Sequence, residues 1–224
     1  MNRMATRVSG LLALVCATVF AIPIGAGANP NWTLWNEGTN APLTSSDVVN
    51  AAGLMRFQAG VGGTNATIDC RFTTAQPLRL STSGPFSAPP GGTLTLVASL
   101  PTPTVCTSGT RNIPTTVSGP WSFTLSMPMA GSVPGQLYDD TLGRTLSVPA
   151  NSVTWDLSSV CAGTTATGPT FPKSFSGSYS SATGSDVVSP VPQSFAMSYT
   201  GCTVTNARLI ASNLLLDPVV DLQW

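Results

Sequence analysis

The stretch Trp121-Ser122-Phe123-Thr124-Leu125-Ser126-Met127 places a large apolar residue at every odd position and a small hydroxyl residue at every even one. Successive side chains of a β-strand point to opposite sides, so alternation with a period of two is typical of a strand with one buried and one solvated face. We therefore predict a half-buried strand here, with Trp121 in the core.

Other segments repeat this alternation, namely Ala66–Phe72, Leu94–Leu100, Val153–Leu157 and Phe195–Tyr199. Pro and Gly recur between such runs, and no long stretch has a helical period. The run from Pro85 to Leu96 contains Pro90-Gly91, which predicts a type II turn feeding a strand, and it resembles the strand-entry turn of immunoglobulin-like extracellular domains. We predict an all-β, antiparallel β-sandwich, immunoglobulin-like or jelly-roll-like, with roughly nine to eleven strands.

Two segments allow more than one interpretation. Thr44 to Ala52 either caps a short helical turn, with Ser46 or Asp47 as the N-cap, or forms a loop before a strand from Leu54 to Phe57. The Ser/Gly-rich piece from Ser174 to Ser185 is either a flexible connector or a long hairpin tip, since small side chains offer little to pack.

The N-terminus has the features of a cleavable secretory signal. Arg3 and Arg7 precede an apolar run from Leu11 to Ile24, and Ala26-Gly27-Ala28 forms a small-x-small cleavage site. We predict a signal peptide over residues 1–28 and a single secreted β domain over 29–224, with a division into two lobes near 131–135 as the alternative. The expected location is secreted or cell surface.

The mature chain keeps an even number of cysteines: Cys70, Cys106, Cys161 and Cys202. In an exported protein this predicts two disulfides, for which three connectivities are possible. We favour Cys70 with Cys106 and Cys161 with Cys202, because each pairing closes a loop within one half of the chain. The spacings do not match the short Cys-x2-Cys pattern of zinc sites.

The charged residues argue against several classes of function. The sequence has no His, so neither a Ser-His-Asp triad nor a His-bearing zinc site can form. Without Arg3 and Arg7, seven basic residues face nine acidic ones, which argues against a nucleic-acid partner. Asp139-Asp140 is interpreted as a solvated hairpin tip, with an exposed calcium site as the alternative. We predict no catalytic residue, no cofactor and no metal.

Aromatic residues are the candidates for a contact surface. Trp121 and Trp155 lie on the apolar sides of predicted strands and are assigned to the core. Trp32 and Trp35 either cover the core or form a contact surface. The C-terminal run Val219 to Trp224 also alternates and ends on an aromatic residue, which is similar to the closing strand of an outer-membrane barrel.

The composition favours a non-enzymatic protein that is structural, adhesive or ligand-presenting at the cell surface or in the extracellular matrix. Few charges and many Ser, Thr and Gly residues leave strand edges poorly defended against pairing with other chains. The expected partners are further copies of the chain or surface glycans and proteins, without a membrane span. A soluble sugar- or peptide-binding module and an outer-membrane β-barrel pore are the alternatives.

Overall fold

The computed structural model describes residues 31–82, 84–99, 104–129, 131, 133–139, 141–188 and 192–224, so the predicted signal peptide lies outside it. Within these ranges the regular structure consists of nineteen β-strands and no helix, which confirms the all-β class. The predicted strand number of nine to eleven is too low, and the four strands of two or three residues account for only part of the difference. In chain order the strands are β1 (Trp32–Asn36), β2 (Ala41–Pro42), β3 (Val48–Val61), β4 (Thr64–Phe72), β5 (Leu78–Thr82), β6 (Ser87–Ala88), β7 (Thr93–Ser99), β8 (Thr104–Ser108), β9 (Arg111–Val117), β10 (Trp121–Ser126), β11 (Thr141–Val148), β12 (Val153–Asp156), β13 (Thr165–Gly168), β14 (Lys173–Ser180), β15 (Ser185–Val188), β16 (Gln193–Ser194), β17 (Ser198–Thr200), β18 (Val204–Asp217) and β19 (Val220–Gln223).

The largest sheet closes on itself. From β3 it runs through β5, β7, β10, β11, β14, β15 and β18, and β18 pairs back with β3 over most of its length. This antiparallel ring is an eight-stranded barrel, which leaves no free edge within the ring. The predicted sandwich is corrected accordingly. In a sandwich and in a barrel alike, successive side chains of a strand alternate between inward and outward positions. The alternation therefore does not reveal whether the sheet closes on itself.

Strand β3 has 14 residues and changes its neighbour partway along. Residues 48–51 pair with β5, and residues 53–61 pair with β4. From β4 the sheet extends outside the ring through β8, β9, β12, β13 and β17. Trp155 of β12 contacts Phe57 of β3, with ring centroids 5.1 Å apart, and both side chains are buried. The extension and the barrel therefore share one core.

A second, small sheet consists of β1, β2, β6 and β19, and we call it the end sheet. Its strands come from segments that leave one end of the barrel: β1 precedes β3, β6 lies between β5 and β7, and β19 follows β18. Trp32, Leu34, Val220 and Leu222 are at most 1% exposed, so one side of the end sheet packs on the barrel. The hydroxyl of Tyr179 in β14 donates to the Val220 carbonyl at 2.6 Å and joins the two parts. The C-terminal strand thus belongs to the end sheet, and β18 closes the barrel.

Both disulfides have the connectivity favoured from the sequence. Cys70 and Cys106 are Cα partners on the neighbouring strands β4 and β8, and both are buried. Cys161 and Cys202 connect the loop after β12 with the residues before β18. Two such bonds suggest an oxidising, extracellular environment. In the part of the chain that is described, no helix offers an apolar stretch that would span a membrane.

Most of the predicted strands are confirmed. The segments starting at Ala66, Leu94, Trp121 and Val153 form most of β4, β7, β10 and β12. The segment from Phe195 to Tyr199 is only partly right, because residues 195–197 lie between β16 and β17 and outside both. The Pro90-Gly91 turn is confirmed: Gly91 has a φ of 78°, the Gly92 amide donates to the Pro89 carbonyl at 2.9 Å, and β7 follows.

The two segments with alternative interpretations are each only partly as predicted. The segment from Val48 onward is strand β3 instead of a helical turn, and it extends well past the predicted strand from Leu54 to Phe57. Residues 174–180 are part of strand β14 instead of a connector or a hairpin tip, and only residues 181–184 turn the chain. Phe175 and Tyr179 are buried and hold this Ser-rich strand in the barrel. The segment 131–135, which was the alternative boundary between two lobes, lies between β10 and β11. These two strands pair directly with each other in the barrel.

Candidate functional site

The outside of the barrel carries a patch of short, uncharged residues on β7, β10, β11 and β14. The strand registers align twelve outward positions in three rows, of which ten carry a hydroxyl and none carries a charge. We call this patch the hydroxyl face. Its rows are Thr93-Ser126-Gly143-Ser178, Thr95-Thr124-Thr145-Ser176 and Val97-Ser122-Ser147-Ser174.

Hydroxyls of the hydroxyl face bond to each other across the strands. Thr95 Oγ1 lies 2.9 Å from Thr124 Oγ1, and Ser147 Oγ lies 3.0 Å from Ser174 Oγ. Each hydroxyl can donate one hydrogen bond and accept two, so the patch keeps capacity for a partner. Most inward positions of the same strands are apolar and buried, as at Phe123, and Arg144 is the charged exception. One alternating pattern thus supplies both the core and the hydroxyl face.

A second feature is a cluster of three carboxylates on the end sheet. Asp221 of β19 is the Cα partner of Trp35 in β1, and Glu37 follows Trp35 by two residues. One carboxylate oxygen from each of Glu37, Asp139 and Asp221 lies within 4.8 Å of the other two. These residues, which we call the carboxylate cluster, come from distant parts of the sequence.

The segment before β11 runs beside β19 and brings Asp139 to the cluster. Leu137 forms a β-bridge with Gln223, and the Tyr138 amide donates to the Leu222 carbonyl at 2.6 Å. Continuing the antiparallel register of Leu137 and Gln223 by two residues places Asp139 opposite Asp221. On the other side of β19, the Glu37 amide donates to the carbonyl of Val219 at 3.1 Å. Backbone pairing on both edges of β19 therefore sets the cluster.

Asp221 is the buried member of the cluster, at 0% exposure, whereas Glu37 and Asp139 are exposed. Its Oδ1 accepts a hydrogen bond from the Leu222 amide at 2.7 Å, but among the described residues its buried Oδ2 has no hydrogen-bond partner. Burial raises the pKa of Asp221 to about 7, and the carboxyl groups of Asp139 and Glu37 add to this effect. Burial of an ionised carboxylate without a partner costs free energy, and either a bound cation or a proton would supply that partner to Asp221.

The two predicted contact residues have different positions. Trp32 is 0% exposed, and its ring centroid lies 5.1 Å from that of Tyr138 and 5.0 Å from that of Trp224. Trp32 therefore belongs to the core, and the contact-surface interpretation is wrong for it. Trp35 lies on the opposite side of β1, is partly exposed, and donates from Nε1 to Asn40 Oδ1 at 3.3 Å. Its role in contacts stays a prediction.

The core leaves little room for a ligand. An enclosed apolar cavity lies between the barrel and its extension, beside Phe57, Trp155, Phe175 and Phe195, and its volume is about 10 Å³. This is roughly the space that one water molecule needs. The rings around it pack edge to face, as in Phe175 against Phe195 with centroids 5.7 Å apart.

Sequence reasoning found only one member of the carboxylate cluster. Asp139 was interpreted with Asp140 as a solvated turn, with calcium binding as the alternative, and Asp140 lies outside the described residues. Glu37 is the single Glu of the chain, and the residues around it form no recognisable binding motif. The overlooked signal was Asp221, an acid inside the otherwise apolar run from Val219 to Leu222.

No family model matches the chain, and the searches found no significant match among curated proteins or solved structures.

Proposed function

We propose that this chain is an exported, non-enzymatic structural protein of the cell surface or extracellular matrix, and that it adheres or assembles through the hydroxyl face. The supporting observation is the alignment of hydroxyl side chains in three rows across four barrel strands, with no charge among them. The absence of His from the sequence agrees with a role that needs no reaction centre.

Such a face is suited to close contact with a similar face. It has no charges that would repel a second copy, and its short side chains lose less conformational freedom on contact than Lys or Arg would. Each hydroxyl can act as donor or acceptor, so two such faces satisfy each other in more than one register. A surface layer in which many copies associate side by side requires faces that can pair in more than one register.

The proposal is tested by placing positive charge at the centre of the hydroxyl face. Thr124 and Thr145 are Cα partners with outward side chains, so the double variant Thr124→Lys/Thr145→Lys should fold normally. We expect the wild-type mature chain to associate with rising concentration in sedimentation velocity, and the double variant to sediment as a monomer.

The matched control adds the same charge elsewhere. Thr74 and Thr110 are exposed residues in turns outside the hydroxyl face, and Thr74→Lys/Thr110→Lys should associate like the wild type. A wild-type chain that sediments as a monodisperse monomer at high concentration would refute the proposal. Equal association of both lysine variants would also refute assembly through this face.

A soluble sugar-binding module is the second candidate, since rows of hydroxyls also complement a polyhydroxylated surface. A glycan array separates the two: binding by the monomeric wild type that is lost in Thr124→Lys/Thr145→Lys would favour sugar recognition over self-assembly. An outer-membrane pore requires apolar side chains on the outside of its strands, whereas β10, β11 and β14 turn Ser and Thr outward, so this alternative gains no support.

A further inference from the structure

We propose that the carboxylate cluster of Glu37, Asp139 and Asp221 binds a calcium ion, which fastens the end sheet to the segment before β11. This site is separate from the hydroxyl face and does not depend on the function proposed for that face.

The spacing of the oxygens fits calcium. One carboxylate oxygen of each residue lies within 4.8 Å of the other two. Calcium binds oxygen at about 2.3–2.6 Å, so two ligands on opposite sides of the ion are about 4.6–5.2 Å apart. Magnesium binds at about 2.0–2.1 Å and spans no more than about 4.2 Å, and it demands a stricter octahedral geometry. The upper bound of 4.8 Å admits either ion, and calcium is favoured because it tolerates an irregular ligand geometry that magnesium does not.

The buried oxygen of Asp221 is independent evidence for a bound cation. Asp221 is 0% exposed, and among the described residues no group donates a hydrogen bond to its Oδ2. The neighbouring Asp139 carboxyl can pair with Asp221 only if one of the two carries a proton. A solvated turn of acidic residues would leave every carboxylate in water, whereas this one is removed from solvent and faces two other carboxylates. A cation supplies the missing partner and offsets the repulsion among the three groups.

The chemistry of the ligands narrows the class of metal. All three are carboxylates, which favour hard cations such as calcium, magnesium and manganese over zinc or copper. The charged groups that act on Asp221 are Asp139 and Glu37, both of them acidic. Since Glu37 and Asp139 are exposed, an ion can enter from solvent and keep water in its remaining coordination positions.

The positions of the ligands predict the effect of binding. Glu37 follows β1, Asp139 lies in the segment before β11, and Asp221 is in β19, so a single ion connects the beginning, the middle and the end of the mature chain. Binding should therefore stabilise the whole fold, because these contacts are lost on unfolding.

The test uses the full mature chain after treatment with EDTA and dialysis, with calcium chloride as the probe. We expect saturable binding to one site in isothermal titration calorimetry. The Tm should rise by at least about 3 °C when calcium exceeds its Kd tenfold. Asp139→Asn and Glu37→Gln should each weaken binding at least tenfold, because each removes one of the three negative charges that attract the ion.

Asp217→Asn is the matched control, since Asp217 is an exposed acid near β19 outside the cluster, and it should bind like the wild type. Sodium chloride at equal ionic strength controls for screening. The proposal is overturned if calcium raises the Tm no more than sodium does, or if Asp139→Asn and Glu37→Gln bind calcium like the wild type.

Terbium luminescence gives a second readout that does not depend on the variants being stable. Trp35 is the Cα partner of Asp221 and lies on the same side of the sheet, so it should sensitise a terbium ion in the cluster. We expect emission from the wild type on excitation of tryptophan, its displacement by calcium, and a loss of most of it in Trp35→Phe. Emission that excess calcium leaves unchanged would contradict the site.

Discussion

Arg144 and Asp186 form a two-pronged ion pair inside the barrel, where their side chains are 0% and 1% exposed. Arg144 Nη2 donates to Asp186 Oδ2 at 2.7 Å, and Arg144 Nε donates to Oδ1. The guanidinium also donates to the Phe175 carbonyl at 3.1 Å and lies 5.4 Å from the centroid of the Phe123 ring. Gly177, the Cα partner of Arg144, has no side chain to compete for this space. The pair thus joins β11 to β15 through the barrel interior.

Removal of one partner of this pair should be strongly destabilising. Asp186→Leu or Arg144→Met should each lower the free energy of unfolding by about 3–5 kcal/mol, because the remaining charge stays buried without its partner. The double variant Arg144→Met/Asp186→Leu should cost much less than the sum of the two. Urea unfolding of the four proteins measures this coupling, and single variants that each cost under about 1 kcal/mol would contradict it.

The two disulfides should differ in their access to reductant. Cys161 and Cys202 are partly exposed, whereas Cys70 and Cys106 are 4% and 1% exposed and lie within the core. Under native conditions, dithiothreitol should therefore reduce Cys161–Cys202 first. Alkylation with iodoacetamide followed by peptide mass analysis identifies the labelled cysteines. In urea above the unfolding midpoint both bonds should react together, and early native labelling of Cys70 or Cys106 would disprove the expected order.

The surface pair of Arg56 and Asp69 should make a small, pH-dependent contribution. Arg56 Nε donates to Asp69 Oδ1 at 2.7 Å, and the side chains are 41% and 17% exposed. The hydrogen bonds from Arg56 lower the pKa of Asp69 in the folded state. The stabilisation is therefore complete above the unfolded pKa of about 4 and is lost as the pH falls through the lower, folded pKa.

Asp69→Asn should accordingly cost less than about 1 kcal/mol at pH 7, since solvent screens an exposed pair, and almost nothing at about pH 2. Urea midpoints at the two pH values give the difference. Arg56→Gln removes the same interaction and should show the same dependence. A cost for Asp69→Asn that is equal at both pH values would exclude the ion pair as its cause.

Gly53 occupies the point at which β3 exchanges β5 for β4 as its neighbour. Its φ is 149°, and a Cβ there would overlap the carbonyl oxygen of Asn213 on β18. We expect Gly53→Ala to lower the free energy of unfolding by more than about 2 kcal/mol, because β3 and β18 would have to separate where they close the barrel. Gly109→Ala is the control: Gly109 has a φ of 60° in open space, so only the backbone strain of about 1 kcal/mol applies. Equal unfolding midpoints in urea for the two variants would rule out the steric overlap.

Much of the local structure was accessible from the sequence. Alternation around Phe123 predicted β10 and its buried side, and the four cysteines outside the predicted signal peptide predicted two disulfides with the observed partners. Strand β14 was missed because five of its eight residues are Ser or Gly, although Phe175 and Tyr179 carry enough apolar surface to hold it in place. The sequence does not distinguish a core position for Trp32 from a contact surface, because the pattern of a short strand does not show which residues pack over Trp32.

The sequence by itself determined the all-β class, the inward and outward sides of its clearly alternating strands and the two disulfides, because period-two alternation and cysteine number are properties of short segments or of composition. Only the tertiary structure decided that the sheet closes through the pairing of β3 with β18. It also aligned the hydroxyl residues in three rows, with Thr124 in the middle row, and brought Glu37, Asp139 and Asp221 together. Each of these depends on pairings between strands that are far apart along the chain. Many such pairings bury the same alternating faces equally well, so no local pattern specifies which one forms.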